Sequence, residues 1–214
     1  MEFCLECEHR LHYSVEMAPA QRSDTYHHGH LKDALIDLAI EKLNGGAEPG
    51  DLSIRALAVE AGVSAGAPYR HFPTAEALVA AVAERGFAAL RDMMHTAADS
   101  VSGAQQLESI GVAYVQFAAE HPQWYRAMFA LPAHSLREYP HLASAAGESF
   151  AQLEEAVAAF QATREAPRMD TADAARAAWA YVHGLAGLAT GSLSEIAGDP
   201  AALRRLMTAL TQGL

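Results

Sequence analysis

The stretch Leu52 to Pro73, LSIRALAVEAGVSAGAPYRHFP, restricts what this chain can become more than any other. Ile54, Leu57, Ala58 and Ala61 recur at i, i+3, i+4 and i+7, the spacing that gives a short helix one apolar face, and Ser53 stands where an N-cap belongs. Gly62-Val63 predicts a tight turn, because glycine takes the positive φ that stops a helix at no steric cost. Ser64 then caps a second predicted helix, which Pro73 ends. Two short helices joined by a glycine turn read as a helix-turn-helix. In such a unit the N-terminal residues of the second helix face base edges in the major groove, while the first helix crosses the backbone.

The side chains suit that task. Ala65, Gly66 and Ala67 are small enough to let the segment approach bases closely, whereas Tyr69, Arg70 and His71 carry donors suited to phosphates, and Phe72 is left to pack inward. The string AGVSAGAPYRHFPTAEAL closely resembles the DNA-binding signature of the tetracycline-repressor (TetR) family of bacterial transcription regulators. That resemblance implies DNA contacts from Ser53, Arg55, Ser64, Ala65, Gly66, Ala67, Tyr69, Arg70 and His71, with Arg55 and Gly66 as the base-contact candidates. The lead-in TYHHGHL, with Tyr26 and His27, also resembles family members in which this segment lies against the DNA backbone. Two positions depart from the pattern: His30 replaces an acidic residue, and Ala75 stands where many members carry a phosphate-binding lysine.

The 3.6-residue period recurs along almost the whole chain and no alternating strand pattern is convincing, so the expected fold is all-α. A chain of 214 residues can bury a sizeable core, and no apolar run approaches the length that would span a bilayer. Net charge is −11, and even residues 20 to 90 hold six Lys and Arg against nine Asp and Glu. This argues against binding to DNA by bulk charge, and DNA binding then requires the few cations and histidines to cluster on one face.

Residues 1–23 differ from the rest: polar, aperiodic, and holding both cysteines. Cys4, Cys7, His9 and His12 invite a zinc reading, but their pairs are too close for a usual tetrahedral site, and a disordered tail is the expectation. No metal and no cofactor are expected. Nothing in the segment has the form of a signal peptide, and Met17 opens MAPAQRSDTYHHGHL like a natural start, which makes residues 1–16 an expected upstream extension.

Beyond the motif, a first helix is expected over about residues 30 to 43, stopped at Asn44-Gly45-Gly46. Thr74 caps a long linking helix that carries Leu78, Val82, Phe87 and Leu90 and runs to about residue 100, with Gly103 as a joint. The expected division is a tail (1–23), a helix-turn-helix domain (24–73), a linking helix (74–102) and an effector-binding and dimerisation domain (103–214). His121-Pro122 stops the helix over 105–120, a helix over 136–163 is open to a break at Pro140, and another starts at Asp170, Thr171 or Asp173 and ends about Thr190.

In that second domain HPQWYRAMF places Trp124, Tyr125, Met128 and Phe129 on one side of a short helix. Together with AAWAYVHGLAGLATG, which carries Trp179, His183 and Gly184, it resembles the WHG-type effector domain of one TetR branch. Trp124, Tyr125, Met128, Phe129, Trp179 and His183 are the candidate lining of an apolar ligand site, although at each single position plain core packing is the commoner role. Gly184, Gly187 and Gly191 share a stripe with Ala180; each internal glycine costs roughly 1 kcal/mol relative to alanine. Another helix is therefore expected to approach there, either within the monomer or across a dimer interface completed by the helix over 201–210.

No Gly-x-Ser-x-Gly elbow, P-loop, paired-carboxylate spacing or His-Glu-x-x-His is present, so an enzyme is not expected. The reading is a homodimeric, cytoplasmic transcription regulator, associated with the bacterial nucleoid when bound to operator double-stranded DNA and released by a small, largely apolar effector. The alternative is a constitutive DNA-binding protein with no small-molecule effector.

Overall fold

The computed structural model describes residues 30–99, 101–164, 169–192 and 194–213, and every regular element among them is helical. Tyr26, His27, the Cys4 to His12 cluster and the expected tail lie outside the described residues.

Helix α1 (Leu31–Asn44) turns Leu31, Leu35, Ile36, Ala39 and Leu43 to one side. Helix α2 (Ile54–Glu60) begins on Ser53, whose hydroxyl accepts the Ala56 N–H at 3.4 Å, and it sends Ile54 and Leu57 into a core shared with Leu35, Leu43 and Phe72. Gly62 ends it with φ 68°, and the Val63 N–H reaches back to the Ala58 carbonyl at 3.0 Å, satisfying one of the acceptors a helix end leaves open.

The second half of the motif differs from the expectation. In place of a continuous α-helix capped by Ser64 there are two turns. The first is closed by the Ala67 N–H on the Ser64 carbonyl at 3.0 Å; the second is a 3-10 turn, Pro68–Arg70, in which His71 and Phe72 both donate to the Pro68 carbonyl at 2.9 Å. Pro68 is the reason. An α-helix starting at Ser64 needs an N–H at residue 68 for the Ser64 carbonyl, and proline has none.

Helix α3 (Ala75–Ala98) starts on Thr74, whose hydroxyl accepts the Ala77 N–H at 3.1 Å. Its 24 residues span about 36 Å at 1.5 Å each. The first turns bury Leu78, Val79 and Val82 beside α1; later ones bury Phe87, Leu90 and Met94 against the helices that follow. Gly103, at φ 60° and ψ −130°, turns the chain into α4 (Ala104–Glu120), through a conformation a side chain would strain. Helix α4 buries Leu107, Ile110, Tyr114, Val115 and Phe117 and packs against α3 and the four helices that follow it, at the centre of the bundle.

Helix α5 (Pro122–Met128) follows the His121-Pro122 break. The expected interruption at Pro140 is present, since a 3-10 turn ends at Arg137 and α6 (Pro140–Gln161) begins at the proline. Helix α7 (Thr171–Ala189) is capped by Asp170, which accepts the Asp173 N–H at 3.0 Å, and α8 (Pro200–Gly213) seats Leu203 and Met207 in the core. Close helix approaches occur at two glycines. A side chain at Gly86 would meet Met128 and the Trp124 indole, and one at Gly111 would meet Met207 and Val182.

Candidate nucleic-acid interface and effector site

Around the α2 turn, Ser53, Arg55, Ser64, Ala65, Gly66, Tyr69, Arg70 and His71 are exposed, and Ala67 is half-buried. Nothing approaches the open side of Gly66 within 4 Å. Phe72 and Pro68 are buried beneath and hold the segment against the core. The small residues thus sit at the surface with donors on either side, Arg55 from α2 and Tyr69, Arg70 and His71 from the 3-10 turn.

Ion pairs take up part of the adverse charge of this region. Lys42 pairs with Glu60 at 2.6 Å, Arg85 with Asp33 at 3.1 Å and Asp37 at 2.9 Å, and Arg126 of α5 with Glu48 at 3.1 Å. Among the described residues Arg55 and Arg70 form no ion pair. Four carboxylates, Asp33, Asp37, Glu48 and Glu60, are thus held in ion pairs on the sides of the unit, and the two guanidiniums remain available at its open end.

In the second half of the chain, Tyr125, Phe129, Trp179 and His183 come together, and Tyr114 of α4 joins them. The Tyr125 hydroxyl lies 2.8 Å and the Tyr114 hydroxyl 3.0 Å from His183 Nδ1, with 3.2 Å between the hydroxyls. Phe129 stands edge-on to the His183 ring at 4.7 Å, and Trp179 lies 5.3 Å from it on the outer side. Burial pushes the Tyr114 phenol up to about 12 and raises that of Tyr125 as well, while it lowers His183, so all three groups are neutral at ordinary pH. Trp179 is 39% exposed and His183 half-buried, which places both at the mouth of the cluster.

Trp124 and Met128 are not part of it. The Trp124 Nε1–H donates to the Val82 carbonyl of α3 at 3.1 Å, and Met128 fills the notch left by Gly86. Both therefore fasten α5 to the linking helix, which a shared helical stripe does not distinguish from lining a site. Tyr114 is legible in the sequence only as one apolar position of α4. An enclosed void of about 10 Å³ lies between Met94, Tyr114, Leu153 and Val182, and an open groove of about 450 Å³ runs past His95, Asp99, Gln152 and Glu155.

On α7 the glycine stripe faces away from the monomer. Ala180, Gly184, Gly187 and Gly191 are exposed, Leu188 beside them is 42% exposed, and no atom lies within 4 Å of where a side chain of Gly184 or Gly187 would begin. The close approach expected within the monomer is instead at Gly86 and Gly111.

An exposed helix-turn-helix, mounted on a long helix that it shares with an all-helical body, defines a DNA-binding regulator. The family profile described as bacterial regulatory proteins, tetR family, matches residues 49–82, and that described as tetracyclin repressor-like, C-terminal domain, matches residues 107–210. A protein of unknown function from Rhodococcus sp. RHA1 is 31% identical over 90% of this chain and 99% of its own, with a TM-score of 0.73. A regulatory protein of the tetR family from Rhodococcus RHA1 is 20% identical over 86% of this chain and 95% of its own, with a TM-score of 0.58. The TetR-family transcriptional regulator PfmR from Thermus thermophilus is 15% identical over 85% and 94%, with a TM-score of 0.55. No curated protein matches significantly. This chain belongs to the TetR family, whose members are transcription regulators and not enzymes.

Proposed function

We propose that the protein is a homodimeric, cytoplasmic repressor that leaves its operator when a small, largely apolar ligand enters the cluster around His183. In this reading residues 24–73 are the DNA-binding head, 74–102 the linking helix and 103–214 the effector and dimerisation domain. The observation that carries it is the Tyr114, Tyr125 and His183 triad: polar groups gathered inside a shell of aromatic rings, with Trp179 at the opening. Such a combination of apolar walls and a few convergent hydrogen-bonding groups is how ligand sites fix small molecules. The outward glycine face of α7 supports the dimer, because helices can approach closely there without disturbing the monomer.

A second reading has its own support. The void of about 10 Å³ that touches the cluster only at Tyr114 is near the room one water needs, so a ligand that extended into it would have to open the packing first. Constitutive DNA binding without an effector fits that closure. One experiment separates the two. Duplexes selected from a random pool give the operator, and apolar and aromatic metabolites that stabilise the protein thermally are then titrated against the complex. If ligand relieves repression, a hit will weaken operator binding by roughly 5- to 150-fold and lose its effect in Trp179→Ala. Stabilising hits that leave operator affinity unchanged would establish the constitutive reading.

A further inference from the structure

Helix α5 is seven residues long, yet it meets three separate parts of the molecule. On one side Tyr125 reaches His183 at 2.8 Å and Phe129, which ends the helix, packs on the same imidazole. On a second side Trp124 and Met128 hold α3 at Val82 and Gly86. On the third, polar side chains grip the head. His121 Nδ1 lies 3.0 Å from Asn44 Oδ1, and Gln123 Nε2 and Arg126 Nη1 both donate to Glu48 Oε1, at 3.3 and 3.1 Å. Burial holds His121 below its ordinary value, so its neutral ring donates to the asparagine oxygen.

The place of the gripped residues gives this clamp its meaning. Asn44 is the last residue of α1, and Glu48 caps the 3-10 turn Pro49–Asp51, from which Leu52 and Ser53 lead directly into α2. The contacts span 75 to 78 residues of sequence between Gln123 or Arg126 and Glu48, so no local folding requirement accounts for them. The apolar seam between α1 and α3 resists separation but is weakly directional, whereas polar contacts at two separate points, Asn44 and Glu48, restrain rotation as well. We propose that Glu48 is a positioning residue for DNA binding: held by Gln123 and Arg126, it sets the attitude of α2 and the recognition turns relative to the body, and α5 ties that attitude to the His183 cluster. Induction then need not travel along α3 alone, because a displacement of Tyr125 moves the same short helix that carries Arg126. The inference rests on the DNA-binding reading of the head but not on the existence of an effector.

A positioning role and a merely stabilising one predict different results. Arg126 and Glu48 are both exposed, and pairs of this kind contribute little to stability. Operator recognition, in contrast, depends on the orientation of both heads of a dimer. The test uses the full chain, a duplex selected by it from a random pool, and the charge-swap variants Glu48→Arg, Arg126→Glu and the two together. The single swap Glu48→Arg is expected to weaken the selected duplex by roughly 5- to 150-fold, even though it adds a cation near DNA, and to leave melting temperature and random-DNA binding nearly unchanged. The double swap restores operator affinity. Amide exchange over residues 48–60 is measured in parallel without DNA, and rises in the single variant and recovers in the double. A single variant that binds the selected duplex like wild type, or a double variant without rescue, overturns the proposal. If the wild-type chain enriches no duplex, the DNA-binding reading fails, and unchanged exchange over 48–60 would independently remove the clamp.

Discussion

The hydroxyl of Tyr125 and Nδ1 of His183 lie 2.8 Å apart, joining α5 to α7 through a partly buried contact. A neutral imidazole nitrogen has one in-plane lone pair, so it accepts fully from only one of the two phenols around it; the 3.2 Å separation of the hydroxyls lets the other donate to its neighbour. Removing one phenol is therefore milder than removing the acceptor. Tyr125→Phe is expected to lower stability by about 1 kcal/mol, the usual net value of a hydrogen bond, and His183→Leu by about 1–3 kcal/mol because buried hydroxyls lose their acceptor. Urea unfolding of both variants checks the order. Equal losses would show that the imidazole is not the shared partner.

The histidines give stability a defined pH dependence. His121 and His183 are both lowered by burial from 6.5, with the Glu120 charge opposing the shift at His121 and losing to it. Below 6.5 the unfolded chain takes up protons that the folded chain refuses, so stability is fully present above that value and is lost as pH falls toward the depressed folded values. Melting temperature should fall as pH drops from about 7.5 to about 5.5, and less steeply in a double variant with His121→Gln and His183→Gln. At the alkaline end the sign reverses. The Tyr114 phenol, raised from 10.0 to about 12, adds stability that fades as pH climbs through that interval.

Most of the scaffold is legible in the sequence because helix caps and glycine stops are local chemistry. Ser53, Thr74 and Asp170 cap as their positions imply, and Gly62 and Gly103 take the backbone angles that end or begin helices. Apolar spacing does not show which neighbour a side chain will meet. Trp124, Tyr125, Met128 and Phe129 share a stripe, but Trp124 and Met128 face α3 at Val82 and Gly86, Tyr125 faces α7, and Phe129 packs against both Phe87 of α3 and His183 of α7. The 3.6-residue pattern misleads over the recognition segment because it does not register the missing N–H of Pro68. The α5 clamp on Glu48 has no sequence signal at all, since isolated polar residues far apart in the chain carry no period.

The outward glycine face allows a clean test of the dimer. Gly187 has no atom within 4 Å of its missing side chain in the monomer, so Gly187→Leu introduces no clash within the chain. Any loss of assembly then reports on a partner surface. The variant is expected to keep its helical content and its resistance to unfolding as a monomer, to sediment as a monomer at concentrations where the wild type is dimeric, and to lose operator affinity as two linked half-site contacts become separate. A tight dimer with leucine at this position would place the interface elsewhere.

The last prediction separates reading of bases from holding of phosphates. Arg55 lies in the first turn of α2 and Arg70 ends the 3-10 turn; both are exposed, and neither forms an ion pair among the described residues. Ala65, Gly66 and Ala67 between them offer no side-chain donor, so in the proposed reading the Arg55 guanidinium reads base edges while Tyr69, Arg70 and His71 hold the backbone. Arg55→Ala should weaken the selected operator by about 1–3 kcal/mol, the value of an arginine–guanine pair, and barely change binding to random duplex. Arg70→Ala should weaken operator and random DNA alike and reduce the slope of log affinity against log salt by about 0.9, the share of one neutralised phosphate. Tyr69→Phe and His71→Ala should follow the non-selective pattern. Fluorescence anisotropy over a potassium chloride series measures all four variants on both duplexes. If Arg55→Ala flattens the salt slope and Arg70→Ala spares random DNA, the two arginines have exchanged roles, and the recognition turns lie deeper in the groove than α2.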